Sequence, residues 1–362
     1  MKKIKINIPN YEYNVYLGNN VFGDLLKLLK KENHTGNYLI VVDKKVSRLY
    51  SNLIDTTFAA AKNKVKKVIL ESTEKNKSYS AIQKIHSALI KNNYGRDSVI
   101  IAIGGGIIGD VAGFAASTYM RGVKYIQVPT TLLASVDSSV GGKTGINFDN
   151  TKNIIGSFYQ PKLVLIDTNF FKTLPKEEQL CGLGEIIKYA FLINENFFTL
   201  VKNNLDKILA NEPKVIEKVI IESVKFKGSV VTSDEKEQGV RKILNLGHTF
   251  AHAFEVQQDH KLKHGQAVIV GITCALYLSN KINLVNEKDF SVYLNLLTQF
   301  SNKIKLAKVD KKVINHIMQR DKKNRDNQIK LVLLSKVGTI LTDINVDNSL
   351  INQSISEAIV HF

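Results

Sequence analysis

Four histidines in one short segment are the residues of this chain best suited to chemistry. Residues 246–266 contain His248, His252, His260 and His264, half of the eight histidines in the sequence. If the segment is helical, His248 and His252 project from one face, because they are four residues apart. Two imidazoles from separate elements, completed by a carboxylate, can bind a catalytic divalent metal. The alternative is that some of these histidines are solvated residues on a helix surface.

A carboxylate that could complete such a site occurs earlier in the chain, within the apolar segment GLGEIIKYAFL. Glu185 and Lys188 lie one turn apart if this segment is a helix. Burying a carboxylate there is unfavourable unless it is paired with a cation or bound to a metal ion. The residues alone leave both possibilities open, a Glu185–Lys188 ion pair or a metal ligand.

A glycine-rich turn indicates a phosphate-binding element. Residues 104–109, GGGIIG, satisfy G-x-G-x-x-G between the apolar strand VIIAI and a helix. Glycines let the backbone approach a phosphate, and the helix N-terminus attracts the anion. No acidic residue ends the next strand, where KYIQVP offers only Gln127, so ribose contacts are expected elsewhere. Asp43 and Glu74, at the ends of earlier strands, are candidates, and either could equally be a cap or a surface residue.

A long polar segment follows Pro129. Residues 130–161 are too rich in glycine and polar side chains for a core element, and we expect a loop. Hydroxyls, a carboxylate and lysines on such a loop suit the recognition of phosphates and polyols. A solvated loop with ordinary charges is the alternative. The residues concerned are Thr130, Thr131, Asp137, Lys143, Lys152 and Asn153.

The order of the predicted elements indicates two domains. Strands and helices alternate through the first half, which predicts a Rossmann-like, doubly wound and mostly parallel α/β sheet over residues 1–174. Residues 175–362 are predicted to be mainly helical, apart from a short hairpin formed by IKLVLL and TILTDI.

Two helices of the second half are expected to carry the histidines. Arg241, Asn245 and His248 fall at helical spacing. His264 opens the apolar segment HGQAVIVGITCALYL, which we expect to form a buried central helix.

Composition and charge narrow the class of protein. The chain has 362 residues, of which 44% are hydrophobic, enough for a large core. Its formal charge is +17, but the lysines are scattered and are not interleaved with aromatics, so we expect a small polyanionic substrate rather than nucleic acid. No run of about 20 apolar residues and no signal-peptide pattern is present, so no membrane association is expected. Two cysteines give no disulfide framework, which favours a reducing cytoplasm.

Seven motifs taken together resemble the 3-dehydroquinate synthase family over nearly the whole chain. They are, in order, GGGIIGDVAGF, YMRG, QVPTTLLASVDSSVGGKTGIN, KNIIGSFYQP, GLGEIIKYA, RKILNLGHTFAHA and HGQAV. The resemblance implies an NAD-binding α/β domain, a helical metal-binding domain and an active site in the cleft between them. It also implies a homodimer.

The family pattern implies roles for the residues at matching positions. Glu185, His248 and His264 would hold a zinc or cobalt ion, and His252 would face the substrate. The NAD contacts would be Asp43, Glu74, Lys77, Gly105, Gly106, Asp110, Thr130, Thr131, Lys143, Lys152, Phe170, Phe171, Lys172 and Thr173. The substrate contacts would be Asp137, Lys143, Lys152, Asn153, Lys188, Lys227, Arg241, Asn245, His252 and either Lys322 or Lys323. Arg121 would reach the phosphate site of the neighbouring subunit.

The implied activity converts 3-deoxy-D-arabino-heptulosonate 7-phosphate into 3-dehydroquinate and phosphate, within the shikimate pathway to aromatic amino acids. The expected steps are transient oxidation by NAD, β-elimination of phosphate, reduction, ring opening and aldol closure. The alternatives are another sugar-phosphate cyclase and a metal-dependent polyol dehydrogenase, which would release NADH. One segment departs from the family pattern: STEKNK lacks the usual glycine before Glu74. Lys227 is preferred to Lys225 only because it precedes GSVV.

Overall fold

The structure is a computed structural model that describes residues 1–149, 151–319 and 329–362. Its strands are β1 (Lys2–Ile8), β2 (Tyr11–Gly18), β3 (Tyr38–Asp43), β4 (Val65–Leu70), β5 (Val99–Gly104), β6 (Lys124–Pro129), β7 (Lys143–Phe148), β8 (Thr151–Phe158), β9 (Leu163–Asp167), β10 (Leu331–Lys336) and β11 (Thr339–Ile344). Its α-helices are α1 (Leu25–Lys31), α2 (Lys44–Thr57), α3 (Tyr79–Lys91), α4 (Gly106–Thr118), α5 (Lys176–Leu192), α6 (Glu195–Lys202), α7 (Leu205–Leu209), α8 (Pro213–Ser233), α9 (His248–Gln257), α10 (His264–Lys281), α11 (Glu287–Thr298), α12 (Lys311–Gln319) and α13 (Asn348–Ile359). Among the described residues, no helix combines the length and the apolar character needed to cross a membrane.

The described residues divide into two compact units. The first joins Met1–Pro175 with Pro213–Lys236, and the second joins Lys176–Glu212 with Glu237–Phe362. The first unit therefore includes α8, although this helix comes from the half of the sequence predicted to form a helical domain. The binding roles predicted for the two domains stay predictions.

Helix α8 packs on strand β1 within the first unit. Gly228 faces Ile6 at this contact, and a Cβ on the glycine would lie 2.5 Å from Cδ1 of the isoleucine. The Thr232 hydroxyl donates a hydrogen bond to the Asn7 carbonyl oxygen. The helix thus covers the apolar side chains of β1, which are buried.

The sheet of the first unit has seven strands in the described residues, in the order β1-β2-β9-β6-β5-β3-β4. Strands β1 and β2 pair antiparallel, and the other neighbours pair parallel. Successive residues of β3 enter different hydrophobic clusters: Leu39 and Val41 lie in one, and Ile40 and Val42 in the other. Because each face of the sheet has its own apolar cluster, the central strands are hydrophobic throughout. The predicted doubly wound, mostly parallel fold is confirmed.

The strand order reverses between β3 and β5. Strand β4 lies outside β3, and the chain then crosses to the other side of β3 to form β5. Ligands of open α/β sheets bind outside the carboxyl ends of the strands at such a switch point. Asp43 ends β3 and Gly104 ends β5, so two of the predicted nucleotide elements lie at neighbouring strand ends.

The segment 130–161 is not the loop that its composition suggested. It contains a π-helical turn over Ala134–Ser138 and an antiparallel hairpin of β7 and β8. Gly145 and Gly156 are paired across this hairpin, and a Cβ on Gly156 would lie 2.1 Å from the Thr144 carbonyl oxygen. The glycines therefore allow close pairing of two strands, where the sequence was interpreted as irregular backbone.

Helix α10 is the buried centre of the second unit, as its apolar sequence predicts, and α5, α9 and α13 pack around it. Glycines lie at two of these crossings. A Cβ on Gly184 of α5 would lie 2.1 Å from the Gly265 carbonyl oxygen, and a Cβ on Gly271 of α10 would lie 2.2 Å from the oxygen of Gly247. A side chain at either position would force the backbones apart, so these glycines set the spacing of the helices. The predicted hairpin is present as β10 and β11.

Residues 241–248 do not form the continuous helix that their spacing suggested. Val240–Asn245 is a short 3-10 helix, and α9 begins only at His248. Gly247 separates the two with a φ of +75°, in the left-handed region that favours glycine. Arg241 and Asn245 are therefore not in helical register with the histidine.

We predict that Gly271→Ala destabilises the second unit. The added methyl group would meet the Gly247 carbonyl, and overpacking of this kind costs about 1–3 kcal/mol. Differential scanning calorimetry should show a Tm lower by several degrees. Gly23→Ala is the control, because a Cβ there would meet no heavy atom of the described residues within 4 Å beyond the local backbone and the two chain neighbours. An unchanged Tm for Gly271→Ala would mean that the crossing has room for a methyl group.

Candidate functional site

The three predicted metal ligands converge in the second unit. Oε1 of Glu185 lies 3.5 Å from Nε2 of His248 and 3.2 Å from Nε2 of His264. One ligand atom from each of the three residues lies within 4.8 Å of the others. Glu185 is fully buried. Two imidazole nitrogens and one carboxylate oxygen are a donor set suited to a catalytic zinc or cobalt ion with an open coordination position.

Each of the three predicted ligands is the sequence neighbour of a glycine at a helix crossing. The pairs are Gly184–Glu185, Gly247–His248 and His264–Gly265. Because the backbones of α5, α9 and α10 come close at these glycines, side chains from three helices can meet at one point. The glycines that bring the ligands together were part of the motifs, but their role depends on contacts that sequence spacing does not reveal.

Glu185 also forms an ion pair with Lys188 on the same helix. The Lys188 side chain is 2% exposed, and its ammonium group lies 5.0 Å from the centre of the Tyr189 ring. Lys188 contacts Oε2 of the carboxylate, whereas both imidazoles contact Oε1. The ion pair and the cluster with the histidines, which the sequence presented as alternatives, are therefore present together.

Both imidazoles have an acceptor near the second ring nitrogen. Nδ1 of His248 lies 3.2 Å from the Leu246 carbonyl oxygen. Nδ1 of His264 lies 3.7 Å from Oε2 of Glu255, which is buried. Sequence reasoning missed Glu255. The available signal was its position seven residues after His248, which places both side chains on one face of a helix.

The pKa of His264 is raised to about 10. Burial alone would lower this pKa, but the contacts with the Glu185 and Glu255 carboxylates favour the charged imidazolium more strongly. A histidine must be neutral to bind a metal ion, so an ion that enters the site displaces this proton.

The other predicted residues of the second unit lie in and around α9. The ring centre of His252 lies 5.6 Å from that of His248. His252 does not belong to the group of potential metal ligands formed by Glu185, His248 and His264. Arg241 is 1% exposed, one of the largest fully buried side chains. Asn245 donates a hydrogen bond to Oε1 of Glu237 at 2.6 Å. The sequence analysis did not identify Glu237. It lies in the charged segment DEKEQG, where nothing in the spacing distinguishes one acidic residue from an ordinary surface residue.

Two predicted substrate residues of the first unit form an ion pair. Nζ of Lys227, on α8, donates to the carbonyl oxygen and to Oδ1 of Asp137 at 2.9 and 2.8 Å. Lys227 is buried, whereas Lys225 is exposed and pairs with Glu222. This difference favours Lys227 over Lys225 as a substrate contact.

Lys77 is a buried cation at the centre of a polar cluster. Its Nζ lies 2.5 Å from Oδ2 of Asp110 and also contacts the side-chain oxygen of Asn153. Burial raises the pKa of Asp110, and the charge of Lys77 opposes this shift. The cluster joins two residues expected to contact NAD to one expected to contact the substrate.

The glycine-rich turn leaves little room for side chains. A Cβ on Gly105 would lie 3.1 Å from Cγ2 of Thr131, and a Cβ on Gly106 would lie 3.1 Å from Oγ of Ser138. The N–H of Thr130 donates a hydrogen bond to the carbonyl oxygen of Gly104, the last residue of β5, at 2.9 Å. Helix α4 begins at Gly106, and the first N–H groups of a helix have no acceptor within it, so the turn is able to receive an anion.

Both acidic candidates for ribose binding have protein partners. Asp43 caps α2 by accepting hydrogen bonds from the N–H groups of Lys45 at 2.8 Å and Val46 at 3.1 Å. Glu74 accepts a hydrogen bond from the Asn147 side chain at 2.7 Å. A carboxylate has further lone pairs for a ribose hydroxyl, so the NAD contacts of both residues stay predictions.

The predicted nucleotide segment FFKT divides into core and surface residues. Phe170 and Phe171 are buried, and Phe170 packs edge-on against Tyr50 with ring centres 4.8 Å apart. Lys172 and Thr173 are exposed. A nucleotide contact would therefore fall to the main chain or to these two side chains.

In the described residues, the remaining lysine and arginine residues predicted to contact NAD or the substrate lie on different elements. Lys143 begins β7 and Lys152 lies in β8, so the hairpin carries both. Arg121 is exposed and follows α4. Lys322 and Lys323 lie outside the described residues.

The fold and the site define a protein built like the sugar-phosphate cyclases. The structure resembles the crystal structure of a 2-deoxy-scyllo-inosose synthase complexed with carbaglucose-6-phosphate, NAD+ and Co2+, with a TM-score of 0.88 and 27% identity over 98% of this chain and 99% of that one. A 2-epi-5-epi-valiolone synthase from Streptomyces hygroscopicus, with NAD+ and Zn2+ bound, shares the fold at a TM-score of 0.86 and 23% identity over 97% of each chain.

Sequence comparisons identify the family within this class. Residues 67–181 match the family described as 3-dehydroquinate synthase N-terminal, and residues 182–324 match 3-dehydroquinate synthase C-terminal. The 3-dehydroquinate synthase of Pelagibacter ubique is 41% identical, and that of Legionella pneumophila 40%, each over 97% of this chain and 96% of the relative. The chain belongs to the 3-dehydroquinate synthase family, as its motifs predicted.

We predict that Co2+ binding to the metal-free protein strengthens as the pH rises from 7 to 9. Because the raised pKa keeps His264 protonated in this range, each ion should displace about one proton and gain roughly tenfold in affinity per pH unit. Isothermal titration calorimetry in buffers of different ionisation enthalpy measures the affinity and the released proton together. His260→Ala is the control, because this histidine of the same segment is exposed. An affinity that does not change with pH would contradict the prediction.

Proposed function

We propose that this protein is a 3-dehydroquinate synthase, which converts 3-deoxy-D-arabino-heptulosonate 7-phosphate into 3-dehydroquinate and phosphate. The observation that carries the proposal is the close group of Glu185, His248 and His264 in a chain of this family. The relative from Pelagibacter ubique is named for this activity and aligns over nearly the whole chain.

The proposal includes NAD and one divalent metal ion, zinc or cobalt. When bound, the metal supplies Lewis-acid polarisation of substrate oxygens, and NAD supplies reversible hydride transfer. Glu185 is fully buried against two imidazoles, which fits a metal ion. The turn at Gly105 and Gly106 fits a pyrophosphate, because it opens a helix at the switch point of the sheet. The cyclase of similar fold is complexed with NAD+ and Co2+, which supports both assignments.

In the second unit, we assign the binding of anionic substrate groups to buried cations. The planar guanidinium of Arg241 suits the substrate carboxylate, with Asn245 as a hydrogen-bond partner. Lys188 is held beside Glu185 and would stabilise negative charge that develops on substrate oxygens. His252 would hold or move a proton, since its imidazole has one ring nitrogen that donates and one that accepts.

In the first unit, we assign substrate hydroxyls and phosphate to the ion pair and the hairpin. Lys227 is oriented by Asp137 and would present its charge to the substrate in a fixed position. Lys152 and Asn153, on β8, together with Lys143 on β7, would contact the phosphate and hydroxyl groups. The contact between Asn153 and Lys77 would link substrate binding to the nucleotide residues.

A homodimer is part of the proposal, with Arg121 binding the substrate phosphate of the neighbouring subunit. Met120 and Arg121 have φ values of +47° and +66°, a left-handed conformation that is strained for side-chain-bearing residues. Such strain occurs where a functional group must point in a set direction. Large apolar side chains are exposed beside Arg121 and on the β7–β8 hairpin, which supports contact with a second copy of the chain. They are Met120, Phe148, Ile154 and Phe158, each between 44% and 53% exposed.

A cytoplasmic location also belongs to the proposal. Cys181 and Cys274 are both buried and free. Burial raises the pKa of each thiol, to about 12 for Cys181, so neither is suited to disulfide chemistry. Two free cysteines fit a reducing compartment.

The proposed activity predicts phosphate release from the heptulosonate phosphate without net formation of NADH. NAD is regenerated within each turnover, so absorbance at the NADH band should stay flat while phosphate accumulates. Chelation, Glu185→Ala and His264→Ala should each abolish turnover, because each removes the metal or one of its ligands. Stoichiometric NADH would identify a dehydrogenase instead. Phosphate release from a hexose phosphate, and none from the heptulosonate phosphate, would identify a different cyclase.

Mixed dimers test the position of Arg121. Arg121→Ala and Lys188→Ala should each inactivate the enzyme, because each removes a cation from both active sites. If Arg121 acts on the neighbouring subunit, co-refolding equal amounts of the two variants should restore about a quarter of the wild-type activity, since half of the dimers are mixed and each has one complete site. No recovery would assign Arg121 to its own subunit. Light scattering on the same samples measures whether a dimer forms.

A further inference from the structure

The two histidines of the proposed metal site have different acceptors at Nδ1. His248 faces the main chain, with the Leu246 carbonyl oxygen 3.2 Å away. His264 faces a side chain, with Oε2 of Glu255 3.7 Å away. An imidazole offers a lone pair at one nitrogen when its proton is on the other, so an acceptor at Nδ1 determines that Nε2 is the ligating atom.

Glu255 lies where a carboxylate is otherwise unfavourable. It is 8% exposed and follows Phe254, which is fully buried in the core of the unit. A buried carboxylate costs free energy unless a cation or hydrogen-bond donor compensates it. Glu255 comes two helical turns after His248 on α9, so both side chains lie on the face that packs against α10, where His264 begins the helix.

We propose that Glu255 is a positioning residue for the metal site: its carboxylate accepts the Nδ1 proton of His264 and so directs Nε2 toward Glu185 and His248. The 3.7 Å separation is a charge contact slightly longer than a hydrogen bond, and the proposed role requires the two atoms to come within hydrogen-bond distance when the ion is bound. The inference rests on the proposed metal site and adds a residue that acts on the ion only through His264.

The carboxylate should also strengthen the metal–nitrogen bond. A negative acceptor at Nδ1 makes the imidazole a better electron donor at Nε2, whereas a neutral carbonyl does so more weakly. Of the two histidines, His264 is therefore the one whose ligand strength depends on a side chain. Substitution of Glu255 can change the ligand strength of His264, whereas the main-chain acceptor of His248 stays in place.

Titration of the metal-free protein with Co2+, followed by its visible absorption bands, tests the proposal. Glu255→Ala should raise the Kd for Co2+ by about 10- to 100-fold, the usual effect of losing an outer partner of a ligating histidine. Glu255→Gln should lie between the wild type and Glu255→Ala, because the amide oxygen still accepts a hydrogen bond but carries no charge.

Gln258→Ala is the matched control. Gln258 is a similarly buried polar residue at the end of α9, and its side-chain oxygen accepts a hydrogen bond from the Ala307 N–H at 2.8 Å. This variant should lower the Tm while its Kd for Co2+ stays at the wild-type value. Loss of stability alone would therefore not imitate the effect expected for Glu255→Ala.

Proton NMR of the Co2+ protein gives a readout that a packing role would not change. Each ligating imidazole should contribute one strongly shifted, exchangeable Nδ1 proton signal. In Glu255→Ala the signal from His264 should be lost to rapid exchange with water, and the signal from His248 should remain.

Two outcomes separate this inference from the proposed function. If the wild-type protein binds no Co2+, the proposed metal site is wrong and the role of Glu255 is wrong with it. If the wild type binds Co2+ and releases phosphate, but Glu255→Ala keeps the same Kd and both shifted signals, only the positioning role is overturned.

Discussion

The proposed metal site of this protein depends on the close approach of helix backbones at glycines. Glutamate and histidine side chains have a limited reach, so the distance between the helices that carry them determines whether their ligand atoms can meet. Gly184 against Gly265, and Gly247 against Gly271, provide that approach. An increase of even about 1 Å in helix spacing would leave the ligand atoms too far apart for one ion, because metal–ligand bonds tolerate only a few tenths of an ångström.

Charged groups can be buried in this unit because each has compensating partners. Glu185 has no exposed surface, and a lone carboxylate there would be strongly unfavourable. Lys188 compensates one oxygen and the two imidazoles surround the other. The first unit uses a comparable arrangement at Lys77, whose ammonium group is compensated by Asp110 and Asn153. In both units, buried ion pairs hold polar side chains in fixed directions, which suits preorganised binding of a charged substrate.

The sequence predicted the class of fold and the three residues that the structure brings together at the proposed metal site, and it predicted the surroundings of these residues less well. Alternation of strands and helices was enough for the doubly wound sheet. The family motifs indicated Glu185, His248 and His264, which the structure places close together and whose binding of a metal ion stays a prediction. The β7–β8 hairpin was missed because Gly145 and Gly156 look like loop residues unless their pairing is known. Glu255 was missed because its role depends on α10, a separate helix. Such errors share one cause: local patterns describe a residue's own element, whereas these roles arise from contacts between elements.

Because the first unit joins segments that are distant in the sequence, it cannot fold completely until a late part of the chain has been synthesised on the ribosome. Strand β1 is synthesised before α8, yet Ile4, Ile6 and Ile8 of this strand are buried, and α8, which packs on it, is translated only after α5, α6 and α7. Until α8 leaves the exit tunnel, one face at the edge of the growing sheet remains open to water and to other nascent chains. Translation speed through this interval, or a chaperone that binds the uncovered strand, would therefore govern how much of the newly made protein reaches its native form.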